Sequence, residues 1–308
     1  MSIVKVAQQS TQNPCNISTN KDLDGIECVD VHGKKWTFGG VIFSSSNSIV
    51  AKAKTNDRKK YIVKITEKDS AMMFREKHFY IKACKNKKIP ETLLNYIGFG
   101  NFTFAAKSFR FILFEHFGQS LYDFASNNTV THKHLLAVVS GILQAFEYIH
   151  KIGYCHNDVK PANILIHFKN YLFLKQAISV KLVDFGLCVN FKKKDSNFLQ
   201  DKRLSQNGTF LYCSLETHKG YFSALNDLHS FVFTIIDLLD KKIPWEKKNR
   251  SLNRLHVKEI YLANKAEELF KFAFEDEEHV FLNAFKYIFS LDRNTEVNYD
   301  KLYLMFHN

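Results

Sequence analysis

Residues Tyr154 to Leu165 read Y-C-H-N-D-V-K-P-A-N-I-L, and this stretch decides the fold. Asp158, Lys160 and Asn163 stand two and three residues apart, directly before a β-prone run, Ile164 to Phe168. A second such run, Val180 to Val183, ends in Asp184-Phe185-Gly186. Either half alone would fit a capped loop or an ordinary turn. Together and in this order they match what phosphoryl transfer from a nucleotide requires. One Asp orients a hydroxyl, a Lys neutralises charge on the moving group, and an Asn with a second Asp holds a cation.

On the N-terminal side, Lys60-Tyr61-Ile62-Val63-Lys64-Ile65 reads as a strand. Alternation puts Lys64 on the face of Ile62, opposite Tyr61, Val63 and Ile65, so its charge needs a partner. Ser70 is a candidate N-cap for a helix from Ala71 to about Lys85, and Glu76 lies in its middle. An ion pair between Lys64 and Glu76 would fix the lysine at a phosphate site. Two more strands frame this one: K-W-T-F-G-G-V-I-F from Lys35, and I-V-A-K-A after the small-residue turn Ser44–Ser48. Asn101–Ala105 and Phe109–Phe114 add two further strands, and Glu115-His116-Phe117-Gly118 reads as a hinge.

The second half is helical. Leu135, Val139, Ile142, Phe146 and Ile149 step by 4, 3, 4 and 3, with Thr131 as N-cap and Gly153 as stop. Ala224 to Leu239 reads as a buried helix, and further helices are expected at Glu259–Lys271, Val280–Ser290 and Tyr299–Phe306.

The 308 residues, 45% hydrophobic, suffice for a large core, which 29 Phe and 13 Tyr make aromatic. Only 4 Pro argues against a disordered chain. The formal net charge of +12 is spread along the chain, with short runs at Lys192–Lys194 and Lys247–Arg250. That scatter reads first as a solvated surface, then as a surface for acidic protein partners, and least as one for direct nucleic-acid binding. Six separated Cys without a C-x-x-C give no zinc or disulfide framework, which favours a reducing compartment. With no apolar leader or spanning run in the sequence, the expectation is a soluble monomer in the cytoplasm or nucleus.

From about Lys34 to Phe306 the chain resembles the eukaryotic protein-kinase fold. Within that fold it is most similar to the vaccinia-related kinase family of the casein kinase I group. F-R-F-I-L-F-E-H-F-G-Q-S-L looks like that family's hinge, and E-Y-I-H-K-I-G-Y-C-H-N-D-V-K-P-A-N-I-L like its helix and catalytic loop. Gly208–Gly220, G-T-F-L-Y-C-S-L-E-T-H-K-G, looks like the group's replacement for A-P-E, and Ile243-Pro244-Trp245 matches L-P-W.

The resemblance implies an α+β, two-lobed kinase. An N-terminal extension would occupy residues 1–30, a β-rich N-lobe 31–117 and a mainly helical C-lobe 118–308. It implies a serine/threonine protein kinase using ATP and Mg²⁺, or Mn²⁺. Lys64 would contact the α- and β-phosphates and pair with Glu76. Asp158 would be the base and Lys160 the γ-phosphate contact, with Asn163 and Asp184 on the metal. Ile42 and Val50 would line the nucleotide, with Phe114 as gatekeeper and the backbone of Glu115 to Phe117 on the adenine edge. Thr209 would meet Asp158 and Lys160, unless it is a plain turn residue. Asp227 would anchor the catalytic loop, unless it caps its helix. Chromatin-associated or acidic substrates follow from the same likeness, and the compact length suits a virus-encoded member. Asn157 replaces the Arg that holds a phosphorylated activation loop, so activity independent of such phosphorylation is expected.

One part departs from the family. Aligned on Trp36 and Lys64, the glycine-rich loop becomes Phe43, Ser45 and Ser48. Glycine serves there because its backbone approaches phosphate closely. Ser45 and Ser48 would have to present their N–H groups instead. The alternative is a pseudokinase or scaffold with weak or no turnover.

Overall fold

A computed structural model describes residues 23–85, 89–171, 174–192, 195–246, 253–274 and 280–307. Most of the expected extension, the Lys247–Arg250 run and all of the 192–194 run except Lys192 lie outside the described residues. Contacts divide the chain into two compact units. One holds the described residues up to Lys77 together with Asn95–His116. The other holds the described residues of His78–Leu94 and those from Phe117 onward.

The first unit is a six-stranded antiparallel sheet in the order β1-β2-β3-β4-β6-β5. Its strands are β1 (Glu27–Val29), β2 (Lys35–Ser44), β3 (Ile49–Lys54), β4 (Tyr61–Glu67), β5 (Tyr96–Phe104) and β6 (Lys107–Glu115). The expected boundary at residue 30 is therefore too late. Cys28 pairs in register with Trp36, and Leu23 is buried in the same core. The cause is Asp30. Its carboxylate accepts from His32 N, Lys34 N and the Trp36 indole Nε1 at 2.8, 3.0 and 2.9 Å, turning the chain back on itself. The polar composition of the preceding residues concealed a strand of which only one side chain in three is buried. The alternating burial of β4 matches the period-2 pattern, with Tyr61, Val63 and Ile65 inward against Phe109, Phe111 and Leu113.

Helix α1 (Ala71–Lys85) crosses the division between units, and Ser70 Oγ accepts from Met73 N at its start. The described residues of 78–94 count with the second unit, whereas the sequence boundaries put them with the sheet. Phe79 stacks on Phe185 at 3.8 Å and Leu93 bridges Leu182.

In the second unit, β7 (Gln119–Ser120) leads into α2 (Leu121–Asn127), a short helix capped by Ser120 that hydrophobic spacing did not reveal. α3 (His132–Lys151) buries the predicted face and starts on Thr131, whose hydroxyl accepts from His134 N. Gly153, at φ +88°, ends it. After β8 (Tyr154–Cys155) come Asp158, Lys160 and Asn163, then the hairpin β9 (Ile164–Tyr171) and β10 (Leu174–Leu182), which Asp184 follows. β11 (Val189–Asn190) pairs with β8. β12 (Leu199–Gln200), α4 (Leu215–His218) and β13 (Tyr221–Phe222) precede α5 (Ala224–Leu238), which is buried along most of its length. α6 (Arg254–Ala273) is interrupted at Ala263–Ala266, where Asn264, Lys265 and Ala266 take positive φ. α7 (Leu282–Ser290) and α8 (Tyr299–His307) close the unit. Phe146, fully buried against Phe231 and His150, is one of its largest core side chains. Truncating such a residue to Ala costs about 3–5 kcal/mol.

Candidate active site

Lys64 is flanked in register by Val50 on β3 and Ile112 on β6. Its Nζ lies 2.7 Å from Glu76 Oε2, with 11% and 2% of the two side chains exposed. At that burial neither charge is tolerated without the other, so the pair fixes the lysine tip. Phe114 is buried and meets Tyr96 edge-on. At Glu115, N donates to Asn95 O, and the carboxylate takes Asn95 Nδ2 at 3.0 Å and Lys59 at 3.4 Å. In the second unit, the Phe117 ring lies under Lys181 Nζ at 4.9 Å.

The expected phosphate loop is a closed turn. Ser45 N donates to Ser48 O, and Ser45 Oγ accepts from Asn47 N and Ser48 N at 3.3 and 3.1 Å. The N–H groups of Ser45 and Ser48, expected to be offered to phosphate, are thus satisfied inside the turn. A Ser hydroxyl competes for its own backbone amides in a way that glycine cannot. Phe43 is exposed and Ile42 is 50% exposed, beyond two irregularities in the β2–β3 register. Val50 is half-buried.

The second unit assembles a denser constellation. Asp158 Oδ1 accepts from Thr209 N at 2.9 Å and from Thr209 Oγ1 at 2.7 Å. Asp158 Oδ2 lies 2.8 Å from Lys160 Nζ, which also donates to Thr209 Oγ1 at 2.8 Å. The three residues form a closed triangle, so Thr209 is more than a turn residue. Asn163 Nδ2 donates to Asp158 O and Oδ2, at 2.8 and 3.1 Å. Both partners are acceptors, which assigns the amide nitrogen to that side and leaves Oδ1 as the group for a cation.

Asp184 adopts φ +67°, and its Oδ1 accepts from Gly186 N. An L-residue held there costs roughly 1–2 kcal/mol, a strain found where surrounding structure dictates orientation. The surroundings are visible. His156 Nε2 donates to Val183 O at 2.9 Å, and its Nδ1 accepts from Asp158 N at 3.2 Å. One imidazole thus ties the backbone before Asp184 to the backbone of Asp158.

Asp227 is fully buried. Its Oδ1 accepts from Asn157 N, and Oδ2 from His156 N and from His150 Nε2, at 2.8, 2.7 and 2.8 Å. It anchors the loop, while Ser223 serves as N-cap of α5. The Asn157 side chain is turned inward: its Oδ1 accepts from Thr217 Oγ1, which in turn takes a bond from Asn226 Nδ2. His150, bonded on its other side to Tyr299, was not foreseen. The signal was its place four residues after Phe146, on the buried face of α3.

Among the described residues, no group of three or more His, Cys, Asp or Glu side chains is placed to hold a metal. Asn163 Oδ1 and the Asp184 carboxylate are two hard oxygen donors. They fit a cation that completes its shell with phosphate oxygens and water.

A protein kinase domain model matches residues 40–294. The chain belongs to the protein kinase family. It is 30% identical to the human serine/threonine-protein kinase VRK2 over 71% of this chain and 45% of that protein. It is 27% identical to the B1 kinase of vaccinia virus (strain Ankara), over 91% of this chain and 96% of the relative. The solved structure of vaccinia related kinase 3 superposes with a TM-score of 0.72 at 19% identity, covering 92% and 89% of the two chains, which supports the fold. The chain is thus a serine/threonine protein kinase using ATP and a divalent metal, and it is similar in sequence to VRK2 and to the B1 kinase.

Proposed function

We propose that Asp158 orients the substrate hydroxyl, and that the kinase acts on Ser or Thr in acidic, chromatin-associated proteins inside the cell. The observation that carries the site assignment is the Asp158–Lys160–Thr209 triangle. A carboxylate held by four donors, two from Thr209 and one each from Lys160 and Asn163, keeps one geometry while a hydroxyl approaches. Lys160 is near enough to that carboxylate to neutralise charge developing on the transferred group. Lys64, fixed by Glu76, binds the α- and β-phosphates, Val50 and Ile42 flank the nucleotide, and Phe114 backs the adenine. Asn163 and Asp184 hold the cation, proposed to be Mg²⁺. A cation held by these two residues would supply charge neutralisation to the phosphate oxygens. His156 and Asp227 hold the loop so that little reorganisation remains at the moment of transfer.

The acidic substrate class is supported by the net charge of +12 and by exposed Lys202 in the segment before Thr209. The intracellular reading rests on a sequence whose cysteines form no disulfide framework. No helix among the described residues is long and apolar enough to cross a membrane.

Transfer of radiolabelled phosphate from Mg·ATP to casein tests the assignment. Asp158→Ala is expected to lower kcat by about 10²–10⁴-fold with nucleotide affinity retained. Transfer surviving in that variant would remove Asp158 from the mechanism. A wild-type protein that shows no transfer would favour the scaffold reading.

A further inference from the structure

Lys258, in the second turn of α6, is fully buried. Its Nζ donates to Phe210 O at 2.8 Å and to Cys213 O. Three aromatic faces surround it: Phe210 at 5.0 Å, Trp245 at 5.2 Å and Phe233 at 5.5 Å. Among the described residues no carboxylate lies within ion-pair distance of it. A buried amine without an acid is expensive to place. What it obtains there is two main-chain carbonyls, both in the segment that begins at Thr209.

That segment is fixed residue by residue. Thr209 bonds to Asp158 and Lys160. Trp245 Nε1 donates to Leu211 O at 2.9 Å, and Tyr212 OH donates to Asp237 at 2.8 Å. Arg254, one turn before Lys258, donates to Trp245 O at 2.9 Å and covers Phe210 at 4.4 Å. The carbonyls of 210, 211 and 213 are thus held from α6 and Trp245. A loop carrying three fastened carbonyls has little freedom to change the position of its first residue.

We infer that Lys258, with Trp245, is a positioning residue for phosphoryl transfer. It holds Thr209–Cys213 so that Thr209 keeps Asp158 aligned and the segment stays set for a protein substrate. This rests on the assignment of Asp158 as the orienting carboxylate.

The test compares wild type with Lys258→Met, which keeps the apolar stem and removes the donors, and with Lys258→Arg, which restores donors and charge. Peptide kcat/KM and Mg·ATP affinity by thermal shift are measured on the full chain. The expected result is a loss of tenfold or more in peptide kcat/KM for Lys258→Met, unchanged Mg·ATP affinity, and partial recovery in Lys258→Arg. Unchanged peptide kcat/KM in Lys258→Met, or a parallel fall in nucleotide affinity, overturns the inference. If Lys258→Met does not fold, Trp245→Phe carries the test. It deletes the Leu211 bond while keeping a smaller aromatic ring beside Lys258 and Phe233, and should lower peptide kcat/KM at constant Mg·ATP affinity; no change there refutes the clamp. Activity retained in Asp158→Ala would instead refute the underlying site assignment.

Discussion

A methyl group placed on Gly208 would come within 2.8 Å of the carbonyl oxygen of Asn157, at a backbone φ of +91°. Backbone cannot withdraw as a flexible side chain can, and Ala at positive φ costs about 1–2 kcal/mol in addition. Gly208 precedes the residue that completes the Asp158 triangle, so a shift there is passed directly to the carboxylate. Gly208→Ala is expected to lower kcat by about 10-fold or more, since misplacements near 1 Å cost up to 10²-fold. The thermal midpoint should fall by only a few degrees. A variant with full kcat would show that the triangle tolerates movement. At this scale the sequence was readable where a polar residue interrupts an apolar pattern. Lys64 in a strand and Asp158, Lys160 and Asn163 before one stood out for that reason. Lys258 did not, because it stands just before the expected helix Glu259–Lys271, where a lysine looks like solvent-facing surface, whereas α6 begins at Arg254. Its burial depends on Trp245 and Phe233, which only the fold brings to it.

The Ser45–Ser48 turn shows what an element can conceal. Residue types indicated lost glycines, but not that Ser45 Oγ would take the Ser48 amide, one of the two expected for phosphate, together with that of Asn47. Each such bond contributes about 0.5–1.5 kcal/mol net, and it must be given up before the amide can serve a ligand. The kinase should therefore bind ATP weakly through this loop while keeping Lys64 in place for chemistry. Ser45→Gly frees Asn47 N and Ser48 N together. It is expected to lower the KM for ATP by roughly threefold or more, with kcat little changed. A KM that stays constant or rises would mean that the turn takes no part in holding nucleotide. Strands and long helices were legible because their periodicity survives in the sequence. β1, the short α2 and the break in α6 were not. Asp30 accepting from the Trp36 indole, a one-residue cap at Ser120 and three consecutive positive φ values leave no periodic trace.

Across the whole molecule, buried titratable groups give an unusual dependence of stability on pH. Burial pushes His218 and His229 down to about 4, His218 with help from the nearby charge of Lys258, while His229 lies stacked on Phe289. Between pH 4 and 6.5 the unfolded chain takes up these protons and the folded chain does not, so stability rises with pH across that window. Burial also lowers Lys258 to about 7, opposed by Cys213 and reinforced by Arg254. From pH 7 toward 10.5 the unfolded lysine stays protonated while the folded one is neutral, so stability continues to climb. Burial raises the thiols in the opposite sense: Cys28 goes to about 12, and Cys155 and Cys213 rise above their ordinary value of 9.0. Above pH 9 the unfolded chain loses thiol protons that the folded chain keeps, and stability declines. Burial also raises Asp237, so the folded chain holds a proton there that the unfolded chain loses above its ordinary value of 3.8, which opposes the histidine rise at acid pH. The maximum should therefore fall near pH 9, higher than the pH 5–8 common for proteins. The chain has two Trp, one in each unit, so Trp36→Phe leaves Trp245 to report on the unit holding both histidines and Lys258. Urea midpoints followed through Trp245 should increase from pH 5 to 7 and again from pH 7 to 9. Adding His229→Phe should flatten the first rise and Lys258→Met the second. A midpoint highest at pH 7 in the parent, unmoved by Lys258→Met, would mean that this amine is hydrated in the folded protein.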